Sequence, residues 1–340
     1  YLNIPKIFQL TLYNGFDNQS GKQLGPETGN AEDFKSYEEL WTAFTKQLHH
    51  MVEVKIRGNN VIEKLYANYM PAPCLSIVTN DCIKKGRDYN NGGSRYNTRY
   101  IQGVGIGTVT DCLAAIKYNV FDNKNFTMKE LIEAMDDNFA GHEEIFNMVQ
   151  NKTPKYGNDD DYADSIMQDV FKQYRDEVTG RPTMSGGQYH VDMLPTTCHI
   201  YFGEVIGATA NGRLAKKPVS EGISPEKFAD TNGPTAVIKS CAKMDHCSTG
   251  GTLLNQKFTP SALAGDTGLE NLASLIRTYF AMDGHHIQFN VFDKETLLEA
   301  QKHPDDYKDL IVRVAGYSDY FRNLDEELQN EIINRTAQSF

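Results

Sequence analysis

The stretch LIVRVAGYSDYF, residues 310–321, runs from an aliphatic strand into one glycine and out through a turn. Leu310, Ile311, Val312 and Val314 have the branched, apolar character of a short strand. The run ends at Gly316, and the chain turns at GYSD. Asn323 and Glu326 then stand at N-cap and N3 spacing of a helix whose Leu324, Leu328 and Ile332 share one face. Local physics alone predicts strand, turn and helix. In that reading Gly316 is a glycine because positive φ favours a residue without Cβ.

Working outward, TAVIKS (235–240) and HIQFNV (286–291) also read as short strands. Ser36 to Glu39 fits a capping box ahead of Tyr37, Leu40, Trp41, Phe44, Leu48, Met51 and Val52, which recur at helical spacing. Thr127 to Glu130 and Thr267 to Glu270 open two more helices. Residues 161–179 place Tyr162, Ile166, Val170, Phe171 and Tyr174 on one stripe, with Gly180 able to end it. Strands alternating with such helices predict an α/β sheet or barrel, and the pattern fits both. The polar stretch 151–161 reads as a surface loop.

The chain has 340 residues and a formal net charge of −11, which excludes nucleic acid and anionic membrane as partners because phosphate surfaces need clustered Lys and Arg. No apolar run is long enough to span a bilayer. The opening YLNIPKIFQLTLYNG is amphipathic, begins without Met and reads as lying inside a domain, so an N-terminal part of the same protein is expected. Six cysteines without a C-x-x-C pair read as reduced thiols of a cytoplasmic protein. Asp245, His246 and Cys247 are adjacent and point apart, so no metal is expected there. Gly103, Gly105 and Gly107 lack dinucleotide-fingerprint spacing and read as close packing. His285 and His286 read as structural. In PTTCH (195–199), the plain reading is a strand end.

RVAGYSDYF, followed by QNEIINRT, resembles the signature of the glycyl radical enzymes, the pyruvate formate-lyase-like family. SEGISP (220–225), GPTAVIKS (233–240), GGTLLNQKF (250–258) and DGHHIQFNV (283–291) resemble it too, in the family's order. The resemblance implies a ten-stranded α/β barrel of which this chain is the C-terminal part. Residues 1–220 would belong to the barrel and 221–340 to a glycyl radical domain, with the radical loop near 313–320. Gly316 would be the catalytic and modified residue, storing a radical on its backbone. A Cα radical is stabilised by the flanking amide and carbonyl when Cα is near planar, and a Cβ would obstruct that. The radical is then the cofactor, and the protein binds no other. S-adenosylmethionine and a 4Fe–4S cluster would belong to a separate activating enzyme, and 310–340 would swing out of the barrel to meet it. A homodimer is implied as well.

One departure stands out. The family's catalytic cysteine lies in a Gly-Cys-Val-Glu-like stretch, and none is present, so it is expected upstream of Tyr1. YLNIPKI, GNNVIEKLYANYMPAP, GGSRYNTRYIQGVGIGT, NKTPKYGNDDDYAD and MLPTTCH resemble the branch of the family that dehydrates trans-4-hydroxy-L-proline to 1-pyrroline-5-carboxylate. That branch implies Tyr1 and Thr196 as substrate-binding residues. Glycerol or propanediol dehydration, arylacetate decarboxylation, and a non-catalytic radical-bearing fragment are the alternatives.

Overall fold

The structure is a computed structural model that describes all of residues 1–340. Four parallel strands form its main sheet, in the spatial order Leu2–Asn3, Thr98–Val104, Gln188–Met193 and Thr249–Thr252. A second parallel sheet has Leu254–Phe258 at its centre, flanked by Ile287–Val291 and Ala337–Gln338. Parallel neighbours need long crossovers, usually helical. Helices Tyr37–Tyr69, Ile106–Ile116, Asp161–Val178 and Gly265–Ala281 lie in those connections. The α/β class holds.

Helix starts follow their caps. Glu130 N–H donates to Thr127 Oγ1 at 3.2 Å while Thr127 N–H donates back to Glu130 Oε2 at 2.7 Å, closing the box both ways. The box at Ser36 is half-formed, because Glu39 reaches one residue further and accepts from Lys35 N–H at 2.7 Å. Leu40, Phe44, Leu48 and Val52 bury the apolar face of that helix. On Gln188–Met193, Tyr189, Val191 and Met193 are buried, while His190 and Asp192 are half-buried on the opposite face.

Gly103 needs to be glycine for lack of space. A Cβ there would sit 2.9 Å from both Met193 Sδ and Tyr174 Cε1. Gly103→Ala is expected to overpack this seam and lower stability by about 1–3 kcal/mol, read as a fall in Tm.

Four sequence expectations are corrected. Residues 235–240 lie in a helix, Gly233–Ala242, not a strand. Pro234 pre-sets its first turn, and Val237, Ile238 and Cys241 bury at helical spacing, so packing overrides β-propensity. Thr267 does not cap its helix, which starts at Gly265 directly after the turn Pro260–Leu263. The glycine stretch is a hairpin, with Ile311–Arg313 antiparallel to Ser318–Tyr320. The following helix, Glu326–Ile333, is capped by Asp325, which accepts from Leu328 N–H at 2.8 Å. Asn323 instead donates to Asp319 at 3.2 Å.

The hairpin, its helix and the preceding helix Lys294–Lys302 share a small core. Leu297, Ala300, Val312, Val314, Phe321, Leu328, Ile332 and Ile333 cluster apart from the main 48-residue core.

Candidate functional site

Gly316 lies in the loop of the hairpin, closed by Val314 N–H donating to Tyr317 O at 2.9 Å. Its φ is +79°, the left-handed region. A Cβ would meet only Leu194 Cδ2 at 3.8 Å and Leu253 Cδ1 at 3.9 Å, ordinary contact distances. Conformation, rather than crowding, is what asks for glycine here. Gly316 itself is exposed on this chain.

The loop is held by polar side chains. Gly316 N–H donates to Gln288 Oε1 at 3.2 Å, and Arg313 Nε donates to the same oxygen at 3.0 Å. Gln288 Nε2 donates to Asn255 Oδ1 and, at 3.3 Å, to Val314 O. Asn290 pairs with both backbone groups of Arg313, accepting at 2.9 Å and donating at 2.7 Å. From the other side Arg335 donates to Val314 O at 2.8 Å and to Arg313 O at 3.2 Å.

Arg335 also anchors a buried charge cluster. Its Nη2 lies 2.9 Å from Glu331 and 3.3 Å from Glu221, while His199 and Lys227 each approach Glu331 at 3.4 Å. Burial opposes charge on Glu331, yet Arg335, Lys227 and His199 together hold its carboxyl well below the usual range. Burial dominates at Glu221 and raises its pKa, with Arg335 working against it. The ligand atoms of His199, Glu221 and Glu331 lie within 4.8 Å of one another. Arg335 and Lys227 already occupy the carboxylates, so a divalent ion would have to displace two cations.

Tyr1 and Thr196 make no hydrogen bond to this loop or to the charge cluster. Leu2 pairs with Gly103, and Gln102 with Asp192, which puts Tyr1 level with that row of the main sheet. Tyr1 is exposed. Thr196 stands two residues beyond Leu194 and has φ +52°. A β-branched residue at positive φ is rare and strained. Next to it, Cys198 Sγ is buried and accepts from Tyr201 OH at 2.9 Å.

The other motifs resolve into packing. His246 turns inward to Thr252 at 2.9 Å and Cys241 O at 3.0 Å, while Cys247 is exposed. Gly105 has φ +84° against Pro5. Sequence reasoning did not single out Gln288, Asn290, Glu221, Glu331 or Arg335. Their signals were alternation on one strand, Gln288 and Asn290, and an i, i+4 charge pair, Glu331 and Arg335.

Elsewhere, Asp111 borders a cavity of about 420 Å³ that Lys155, Arg213 and Glu226 also line. Its Oδ1 accepts from Tyr156 N–H at 2.9 Å, and its Oδ2 has no partner. Burial pushes its carboxyl up to about 7. A raised carboxyl favours folding fully below its ordinary value near 4 and loses that contribution as pH rises through 7. Asp111→Asn should therefore flatten the decline in Tm between pH 4 and pH 8 and exceed the parent's stability at the alkaline end.

Known proteins supply the family and the overall fold. Residues 1–203 match the pyruvate formate lyase-like family, and residues 219–322 match the glycine radical domain. The chain belongs to the pyruvate formate lyase-like family. It is 69% identical to trans-4-hydroxy-L-proline dehydratase of Clostridioides difficile over 340 residues, covering all of this chain and 43% of that protein. The crystal structure of hydroxyproline dehydratase from the same organism, with trans-4-hydroxy-L-proline bound, superposes with TM-score 0.97 at 68% identity, covering 100% of this chain and 44% of that one. The glycerol-bound B12-independent glycerol dehydratase of Clostridium butyricum gives TM-score 0.96 at 43% identity, covering 100% and 43%. The chain thus spans less than half the length of these relatives. Within the family match, the hairpin bearing Gly316 and the Gln288 strand both fall inside the glycine radical domain. No helix is long and apolar enough to cross a membrane.

Proposed function

We propose that Gly316 stores a backbone radical and that the complete protein dehydrates trans-4-hydroxy-L-proline to 1-pyrroline-5-carboxylate. The observation that carries this reading is 69% identity across the whole chain to a dehydratase of that substrate. The boundary between the barrel portion and the radical domain is placed near residue 220, and the functional unit is read as a cytoplasmic homodimer.

In this reading a radical S-adenosylmethionine enzyme, using its 4Fe–4S cluster, removes one hydrogen atom from Gly316 Cα. Gly316 then takes a hydrogen atom from a cysteine thiol supplied by the N-terminal part of the same protein. The thiyl takes hydrogen from the substrate ring carbon next to nitrogen. The 4-hydroxyl leaves with a proton as water, and the thiol returns its hydrogen atom, so the net change is loss of water. Leu194 and Leu253 give Gly316 apolar neighbours on this chain. The strained backbone at Thr196, two residues from Leu194, supports a place for Thr196 in the substrate pocket, and Tyr1 is assigned to the same pocket.

Anaerobically activated full-length protein should convert trans-4-hydroxy-L-proline to pyrroline carboxylate. The likeness to glycerol dehydratase makes a small diol the second substrate class to assay. Dehydration of glycerol or propanediol with none of hydroxyproline would replace the first reading with the second.

A further inference from the structure

The amide of Gly316 has one acceptor, and it is a side chain. The hairpin's closing bond joins Val314 and Tyr317, so the backbone holds the loop without using the peptide unit of Gly316. Asn290 and Arg335 grip Arg313 and Val314. Gln288 alone reaches Gly316, its Oε1 accepting the N–H at 3.2 Å. The side chain is buried, and four partners fix which way its amide faces. Oε1 sees two donors, Gly316 N–H and Arg313 Nε, while Nε2 sees two acceptors, Asn255 Oδ1 and Val314 O.

We propose that Gln288 is a positioning residue that tunes the radical on Gly316 through this hydrogen bond. The inference rests on Gly316 being the radical site. An unpaired electron on Cα is stabilised by donation from the amide nitrogen lone pair. An acceptor on the N–H polarises that bond towards nitrogen and increases the donation. The same bond sets the plane of the 315–316 peptide, and lone pair and radical orbital overlap only when that plane is correct. Asn290 and Arg335 hold the frame of the loop, and Gln288 adds a contact at the one residue whose electronic state changes. A tie serving the fold alone has no need to end on that nitrogen.

The test is electron paramagnetic resonance on the anaerobically activated full-length protein carrying ¹⁵N-glycine. Gln288→Leu removes the acceptor and should reduce the nitrogen coupling and hasten loss of the doublet by about fivefold to tenfold, the scale of one hydrogen bond. Gln288→Glu keeps an acceptor oxygen towards Gly316 and should retain the parent's nitrogen coupling. A Gln288→Leu protein with the parent's coupling and lifetime overturns the inference while leaving the radical at Gly316 intact. If that variant does not fold, the parent exchanged into heavy water decides. Electron–nuclear double resonance then reads the quadrupole splitting of the Gly316 amide deuteron, and a value typical of an amide without acceptor overturns the inference. Absence of any doublet in the activated parent removes the radical reading and this inference with it.

Discussion

Gly316→Ala is expected to abolish the radical signal and all turnover while leaving the fold in place. The structural cost is small because a Cβ would find Leu194 and Leu253 at 3.8 and 3.9 Å. What remains is the left-handed φ of +79°, worth roughly 1–2 kcal/mol for a residue with Cβ. The chemical cost is the larger one, since a methyl on Cα crowds the planar backbone that the radical needs and shields the one remaining α-hydrogen. Circular dichroism and Tm should stay within a few degrees of the parent. Paramagnetic resonance after anaerobic activation should lose the doublet that, in the parent, collapses on deuterating glycine at its α-position. A doublet persisting in Gly316→Ala would place the radical elsewhere.

Arg335→Ala should be the most damaging substitution outside the loop itself. Its guanidinium binds two backbone oxygens of the loop and two buried carboxylates at once. Removal leaves Glu221 and Glu331 with fewer counter-charges than burial tolerates, which costs about 3–5 kcal/mol. The effect should be local. Amides of residues 310–321 should exchange with solvent at least about 100-fold faster, while amides of the Gln188–Met193 strand change little. Arg335→Lys should rescue only a fraction, because one ammonium lacks the planar fork that spans these partners. Uniform protection across both regions would show that Arg335 is not what fastens the loop.

The α/β class was legible from strands alternating with capped helices, and the capping box at Thr127 appears as its residues require. The TAVIKS segment was misread because three β-branched residues, Thr235, Val237 and Ile238, outweighed Pro234, and only tertiary burial reveals the helix. At the hairpin, Asn323 had the right spacing for a cap, but Asp319 engages it and Asp325 does the capping. Gly316 was singled out by its surrounding signature, since its own geometry asks only for a turn glycine. Gln288, Asn290 and Arg335 lay in segments already quoted for their resemblance. Their roles stayed hidden because each acts on backbone atoms of residues at least 21 positions away, a separation no local pattern encodes.

Residues 292–340, helix Lys294–Lys302 included, pack their oily side chains mostly against one another, and they meet the rest of the molecule largely through charges and amides, with Ile200, Leu194, Leu253 and Phe258 as apolar exceptions. Surfaces of that kind are as content in water as against each other. If the segment lifts away, most of both faces left behind is wettable, and the apolar surface uncovered is limited to side chains such as Ile200, Leu194, Leu253 and Phe258, so little invites clumping with a neighbouring molecule. A detached state of this sort can wait for a visiting protein without precipitating. Salt and pH, rather than detergents, should then govern how long it waits.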